Sequence, residues 1–362
     1  MGVYFALIGI PIVEVLLGKY LRERSLSDNT PKNKIIISSF FVIFITMLCL
    51  RDVSCGIDLE NYVTFWNSTL NSSFVNSLQK YDLEIGYHTI EYLISRITDD
   101  FQILLVVVAF ISIVPLWYFY KKESDMPILT ILLFVTVAPF TMFFSGLRQA
   151  IAIAMAVPAF YLAKNKKIFC FLIIVLLATI MHTSALLLLV IYPLYHAKIT
   201  QKWLFFVIPI IIAIFIFNEQ IFSFLLRFLK DEYVDRYSEL EMTGAYSILI
   251  LLILFAVYSF IIPDSEKLNP DTIAMRNILL FAVCIQCFAP IHTLAMRMNY
   301  YFLIFIPILI PKIIKSRKQS LKEITLLSQV VFVAFFTFYF FYEAYTGDDV
   351  LSIYPYVPFW KG

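Results

Sequence analysis

Residues 101–122 read FQILLVVVAFISIVPLWYFYKK, a run of apolar side chains without one charge, closed by Lys121 and Lys122. At about 1.5 Å of rise per helical residue, its first twenty residues span a hydrocarbon core about 30 Å thick. The lysine pair marks the end that stays in the cytoplasm. Similar stretches lie on both sides of it, at 3–18, 34–50, 128–144, 149–163, 167–182, 184–196, 203–218, 246–262, 273–290, 299–315 and 324–342. With 101–120 they predict about twelve membrane spans. The shortest, 184–196, reaches only about 20 Å and reads as re-entrant or as thinning the bilayer locally.

The composition excludes the other classes. Of 362 residues, 61% are hydrophobic, 17% aromatic and 15% charged. A soluble domain carries about 25% charged residues and could not hide this much Phe, Ile and Leu. A net charge of +2 gives no field for nucleic acid. Five cysteines make no disulfide framework, and Cys284 and Cys287 form a lone C-x-x-C inside an apolar run. Core packing accounts for that pair. No basic segment precedes the first apolar stretch, so it is expected to be a retained helix. The expected fold is an all-α polytopic integral membrane protein, one transmembrane domain over 1–362.

Lys and Arg set the orientation. With both termini outside, the inner connections hold 19 of the 28 basic residues, while acidic residues favour the outside. Two outer loops, 51–100 and 219–245, and an outer tail, 343–362, then exceed simple connectors. Pieces 84–97 and 221–230 are amphipathic and are expected to lie along the membrane surface. Chemistry has room only on that outer face.

Three arginines sit at its edge: Arg51, Arg148 and Arg297. A guanidinium at the hydrocarbon boundary snorkels, pairs with a carboxylate or binds an anion, and its fork fits phosphate oxygens. Ser145-Gly146-Leu147-Arg148-Gln149 falls where one helix gives way to the next. Free N–H groups at a helix start favour an anion, so this is a pyrophosphate seat or a tight hairpin with a capping serine.

His182 and His292 lie on the same face as a candidate acid or base, or as structural residues. Asp58, Glu60, Glu84, His88 and Glu91 crowd the first outer loop. On a helix, residues 84, 88, 91 and 95 share a stripe, expected to face water or substrate. A carboxylate there could accept an acceptor hydroxyl proton. One histidine beside two glutamates makes no convincing metal site. Tyr62, Trp66, Tyr87, Tyr354, Tyr356 and Trp360 suit a membrane interface and are compatible with sugar stacking. The glycosylation-like Asn67-Ser68-Thr69 and Asn71-Ser72-Ser73 read as loop polarity. No P-loop, H-E-x-x-H or G-x-S-x-G stands in a usable context.

Taken in order, these outer residues resemble the EpsG-like branch of the Wzy-type polysaccharide polymerases. The matching pieces are Arg51 with Gly56-Ile57-Asp58 and Tyr62, Glu84-Ile85-Gly86-Tyr87, Arg148-Gln149, His182-Thr183-Ser184, Arg297 with Tyr300-Tyr301-Phe302, and Tyr354-Pro355-Tyr356. Cys55 departs from the small or valine-like residue expected there.

The resemblance implies a bacterial inner-membrane glycosyltransferase that needs no nucleotide sugar and no cofactor. Its substrate would be an oligosaccharide repeat unit on undecaprenyl pyrophosphate in the outer leaflet. A flippase and a chain-length regulator of the same pathway would be its partners. On this reading Arg148, His182, Glu84 and Asp58 are catalytic. Arg51, Arg148, Gln149, Arg297, Tyr62, Tyr87, Tyr300 and Tyr356 would hold pyrophosphate and glycan. The competing readings are a lipid-linked oligosaccharide flippase, a polyprenyl-phosphate-sugar glycosyltransferase and a sugar O-acyltransferase. Polar residues gathered at one face, with few charges at mid-membrane beyond Glu14, favour the polymerase over the flippase.

Overall fold

The computed structural model describes residues 2–23, 32–80, 84–226, 245–347 and 351–361. Among these the chain is helical, without strands, and two isolated bridges join Arg51 to Pro358 and Pro263 to Arg317. In order the helices are α1 (Gly2–Glu23), α2 (Lys32–Leu50), α3 (Leu59–Leu70), α4 (Phe74–Lys80), α5 (Ile85–Ser95) and α6 (Phe101–Glu123). Then come α7 (Pro127–Thr136), α8 (Met142–Ser145), α9 (Leu147–Ala154), α10 (Ala156–Lys164) and α11 (Ile168–Met181). A 3₁₀ segment (Thr183–Val190) leads into α12 (Ile191–His196), followed by α13 (Leu204–Ile216) and α14 (Asn218–Leu226). The last five are α15 (Ala245–Ile261), α16 (Pro270–Gln286), α17 (Thr293–Leu303), α18 (Ile306–Lys315) and α19 (Lys322–Thr346).

Three stretches are long and apolar enough to cross a membrane alone: Asn33–Leu50, Phe101–Glu123 and Gln319–Thr346. Counting α13 with α14, bent by 77°, and α17 with α18, bent by 49°, makes five. The other apolar stretches are shorter or broken helices. Expected spans 128–144, 149–163 and 299–315 are therefore not continuous helices, and a proline lies in or just after each break. A proline ring collides with the carbonyl four residues back and offers no N–H. Pro139 faces the end of α7, Pro158 the last residue of α9, and Pro307 the last residue of α17. In hydrocarbon a freed carbonyl needs another donor. At the α17–α18 break the Tyr120 hydroxyl donates to the Ile304 carbonyl at 2.5 Å.

Aromatic rings fill the space between α2, α6 and α7. Phe41 stacks on Tyr120 at 5.5 Å, Phe40 meets Phe134 edge-on at 5.7 Å, and Phe44 lies 4.9 Å from Phe140. Lipid tails are as apolar as these rings, so close packing rather than exclusion of water holds the helices.

The polar groups separate to two ends. At one end Lys312 pairs with Glu123 (3.1 Å), Lys315 with Asp125 (2.6 Å) and Lys164 with Asp271 (2.5 Å). These connections are the ones whose lysines mark them as inner. At the other end, residues 351–361 close over α2: Asp52 N donates to Val357 O at 2.8 Å and Phe359 N to Leu50 O at 2.9 Å. The Tyr4 hydroxyl donates to Ile353 O at 2.6 Å, so α1 begins beside this tail.

Helices α3, α4 and α5 form a cap at that second end. Leu59, Tyr62, Trp66 and Tyr87 pack against Leu104 and Leu105 of α6 and Leu147 and Ile151 of α9. The expected wet stripe of this cap is turned inward. His88 and Glu91 are 0% exposed, and Ser95 is buried. His88 lies 3.0 Å from Ser77 Oγ and 3.2 Å from Glu91 Oε2. Burial raises the Glu91 carboxyl above its ordinary range, although His88 works against it. Only Glu84, the N-cap residue of α5, reaches the charged cluster described below. Of the second amphipathic piece, residues beyond 226 and most of the loop 219–245 lie outside the described residues.

Candidate functional site

Five charged or titratable side chains, drawn from distant parts of the chain, meet at the cap end of the bundle. Most are delivered by helix termini. Asp58 and Glu84 are the N-cap residues of α3 and α5, Arg148 is the second residue of α9, and His182 joins α11 to the 3₁₀ segment. Arg297 projects from α17. Gly56 enables part of this: it has φ +148°, and a Cβ there would strike the Phe144 carbonyl. The chain before α3 thus lies against the turn before α9, where Ser145 Oγ accepts from Asp58 N at 3.1 Å. Ser145 is a brace between helices rather than a cap for α9.

Glu84 is the hub. One carboxylate oxygen, Oε1, accepts from His182 Nδ1 at 2.8 Å, and the other, Oε2, pairs with Arg148 Nη1. Burial pushes the Glu84 carboxyl up, but the His182 hydrogen bond and the Arg148 charge outweigh it and hold it at about 2. Glu84 is therefore an anchored anion at neutral pH. The sequence offers it as a candidate base, and here both of its carboxylate oxygens are already paired.

An ionised carboxylate can only accept, so the proton of a neutral His182 sits on Nδ1 and its Nε2 carries the free lone pair. Among the described residues nothing bonds to Nε2. Arg148 is also fixed by Tyr62, whose hydroxyl accepts from Nε at 3.3 Å. Burial lowers the affinity of Arg148 for its proton, yet Tyr62 and Glu84 raise it further, so the cation is permanent. Its Nη2 has no partner among the described residues.

A second pair lies nearby, Arg297 Nη2 with Asp58 Oδ2 at 3.3 Å, both partly exposed. Gln149 links the two arginine-bearing helices, its Nε2 donating to Arg297 O at 2.7 Å. Ser184, two residues past His182, meets the Tyr301 hydroxyl of α17 at 2.9 Å. Nothing in the sequence pointed to that last contact as a link, although both residues stood in recognised motifs.

Several expected contact residues lie elsewhere. Arg51 is 1% exposed and donates from Nη1 to the Leu48 carbonyl of α2, the helix it follows, at 2.6 Å. It is a buried side chain beside the tail rather than a cation at the interface. Burial lowers its guanidinium to about 10. Gln149 and Tyr87 are buried, and Tyr87 packs against the Tyr62 ring at 5.5 Å. Tyr62 is buried too, its hydroxyl bonded to Arg148 and its ring 5.8 Å from the Arg148 guanidinium. Tyr356 donates to Met47 O at 3.0 Å and so holds the tail. Tyr300 is partly exposed, within the field of Arg297. His292 caps α17, accepting from Leu294 N at 3.1 Å. No group of three His, Cys, Asp or Glu able to hold a metal occurs among the described residues.

A helical protein with several apolar helices able to span a membrane, and with ionised side chains gathered where those helices end, is a multi-pass membrane protein. The EpsG family model matches residues 34–357, and the chain belongs to that family. Membership puts it among membrane proteins of polysaccharide biosynthesis. No curated protein and no solved structure matches it.

Proposed function

We propose that the chain is a polysaccharide polymerase of the bacterial cytoplasmic membrane, crossing it about twelve times, with the Glu84 cluster on the outer side. It joins oligosaccharide repeat units carried on undecaprenyl pyrophosphate, as a glycosyltransferase that uses no nucleotide sugar. The observation that carries this reading is the Glu84 carboxylate held between Arg148 and His182, beside the Asp58–Arg297 pair.

His182 Nε2 takes the proton of the acceptor sugar's hydroxyl as that oxygen attacks the anomeric carbon of the donor glycan. The bond from that carbon to the pyrophosphate oxygen breaks, and its electron pair leaves with the lipid. Arg148 and Arg297 stabilise the growing charge on the pyrophosphate. Because Glu84 and Tyr62 already fix Arg148, it does not reorganise during the reaction. Asp58 keeps Arg297 in place, as Glu84 does Arg148. Tyr300, partly exposed beside Arg297, contacts the glycan, while the Tyr62 hydroxyl serves to hold Arg148.

The test is a size profile of lipid-linked and surface glycan from cells lacking the gene. Single repeat units on the outer surface with loss of long chains support the polymerase. Repeat units confined to the cytoplasmic side would make the protein a flippase. Full-length chains lacking one sugar or acyl group would make it a tailoring transferase.

A further inference from the structure

Helix α5 is amphipathic in the reverse of the usual sense. Its polar residues His88 and Glu91 are sealed inside the cap, while Ile85 is 51%, Leu93 59% and the following Ile97 85% exposed. Ile85, Thr89 and Leu93 follow one another at a spacing of four, so they form one outward stripe about 12 Å long. In water such a stripe would cost about 25 cal/mol for each Å² of apolar surface. Hydrocarbon is its natural cover.

Two further facts narrow what that hydrocarbon is. First, α5 rests on the cap end of α11: a Cβ on Gly86 would lie 2.7 Å from the Ile180 carbonyl oxygen. Further down, α11 exposes Ile173 and Leu176, the kind of face that lipid chains cover. Read as a lipid-facing helix, α11 puts the stripe at the edge of the hydrocarbon. Second, it begins one residue from Glu84, the anchor of Arg148, whose Nη2 has no partner among the described residues. A cation thus sits at the head of an apolar track. We infer that the outward face of α5 is a docking surface for the isoprenoid chain of the lipid whose pyrophosphate meets Arg148. This rests on the proposed function only for the identity of that lipid.

Site-directed photo-crosslinking tests it. With the exposed Cys170 replaced (Cys170→Ser), a benzophenone is attached at Leu93→Cys, at Ile97→Cys or, as a lipid-facing control, at Leu176→Cys. The full chain is placed in phospholipid vesicles containing a small fraction of undecaprenyl pyrophosphate. The expected result is several-fold enrichment of undecaprenyl pyrophosphate over its share at Leu93 or Ile97, none at Leu176, and loss of the enrichment in excess inorganic pyrophosphate. Crosslinking at both α5 positions in proportion to bulk lipid overturns the inference, as does an absence of lipid adducts there. The two claims fail separately. Enrichment without polymerisation leaves the docking surface and removes the polymerase, and polymerisation without enrichment does the reverse.

Discussion

His182 Nδ1 and Glu84 Oε1 lie 2.8 Å apart although 98 residues separate them in the chain. Because Glu84 stays ionised, this contact sets the tautomer of the imidazole as well as its position. The same carboxylate fixes Arg148. The imidazole and the guanidinium that the proposed mechanism uses as base and phosphate-binding cation are thus positioned by one group.

Residues that act as a unit have non-additive effects. Glu84→Ala is expected to lower the polymerisation rate about 10²-fold or more, in the range of a general acid or base removed by mutation. Glu84→Ala combined with His182→Ala should be scarcely slower than the worse single variant. Initial rates of chain growth for the three variants measure this, and multiplied effects would count against a shared role.

The pH dependence of stability follows from the same carboxyl. Its pKa is depressed in the folded protein, to about 2 from an ordinary 4.5. Its stabilising contribution is thus fully present above about 4.5 and is lost as pH falls toward 2. The full shift corresponds to on the order of 3 kcal/mol. Thermal unfolding of Glu84→Gln followed across this window should show a smaller loss on acidification than the wild type.

The Asp58–Arg297 pair is partly exposed, so its contribution to stability is expected to be within about 1 kcal/mol. Arg297→Ala should nevertheless reduce transfer by about 10²–10³-fold, the range for loss of a charge-stabilising donor. Melting temperature and rate measured on one preparation separate the two. Equal losses in both would make the pair structural.

Arg51 is expected to behave in the opposite way. Its side chain is buried beside the tail, bonded to the Leu48 carbonyl. Arg51→Ala should cost about 2 kcal/mol through an emptied site and a lost charged hydrogen bond. It should also speed proteolysis within 351–361. A slower enzyme with unchanged stability would restore Arg51 to the phosphate site.

Much of this was legible in the chain. Apolar runs and lysine-rich loops point to a membrane-spanning helical bundle and to which connections share an end. The residues 58, 84, 148, 182 and 297 were singled out by their chemistry and their place on one face. What the sequence did not carry was pairing. That Glu84 faces both Arg148 and His182 depends on how α5, α9 and α11 come together at the cap end, which no local pattern encodes. A helix outside the bilayer ordinarily turns its polar stripe to water, and α5 does the reverse. Ile85, Leu93 and Ile97 opposite His88 and Glu91 already pointed the other way. A charge ending an apolar helix normally reaches water, yet Arg51 is buried beside a tail from the far end of the chain.

The most direct test of the central claim is single-turnover transfer by the full chain in vesicles supplied with an undecaprenyl-pyrophosphate-linked repeat unit, comparing wild type with His182→Ala. The account predicts a ladder of lengthened glycans with release of undecaprenyl pyrophosphate from the wild type, and a loss of about 10²–10⁴-fold in the variant at unchanged lipid binding. Transfer at the wild-type rate by His182→Ala would contradict it.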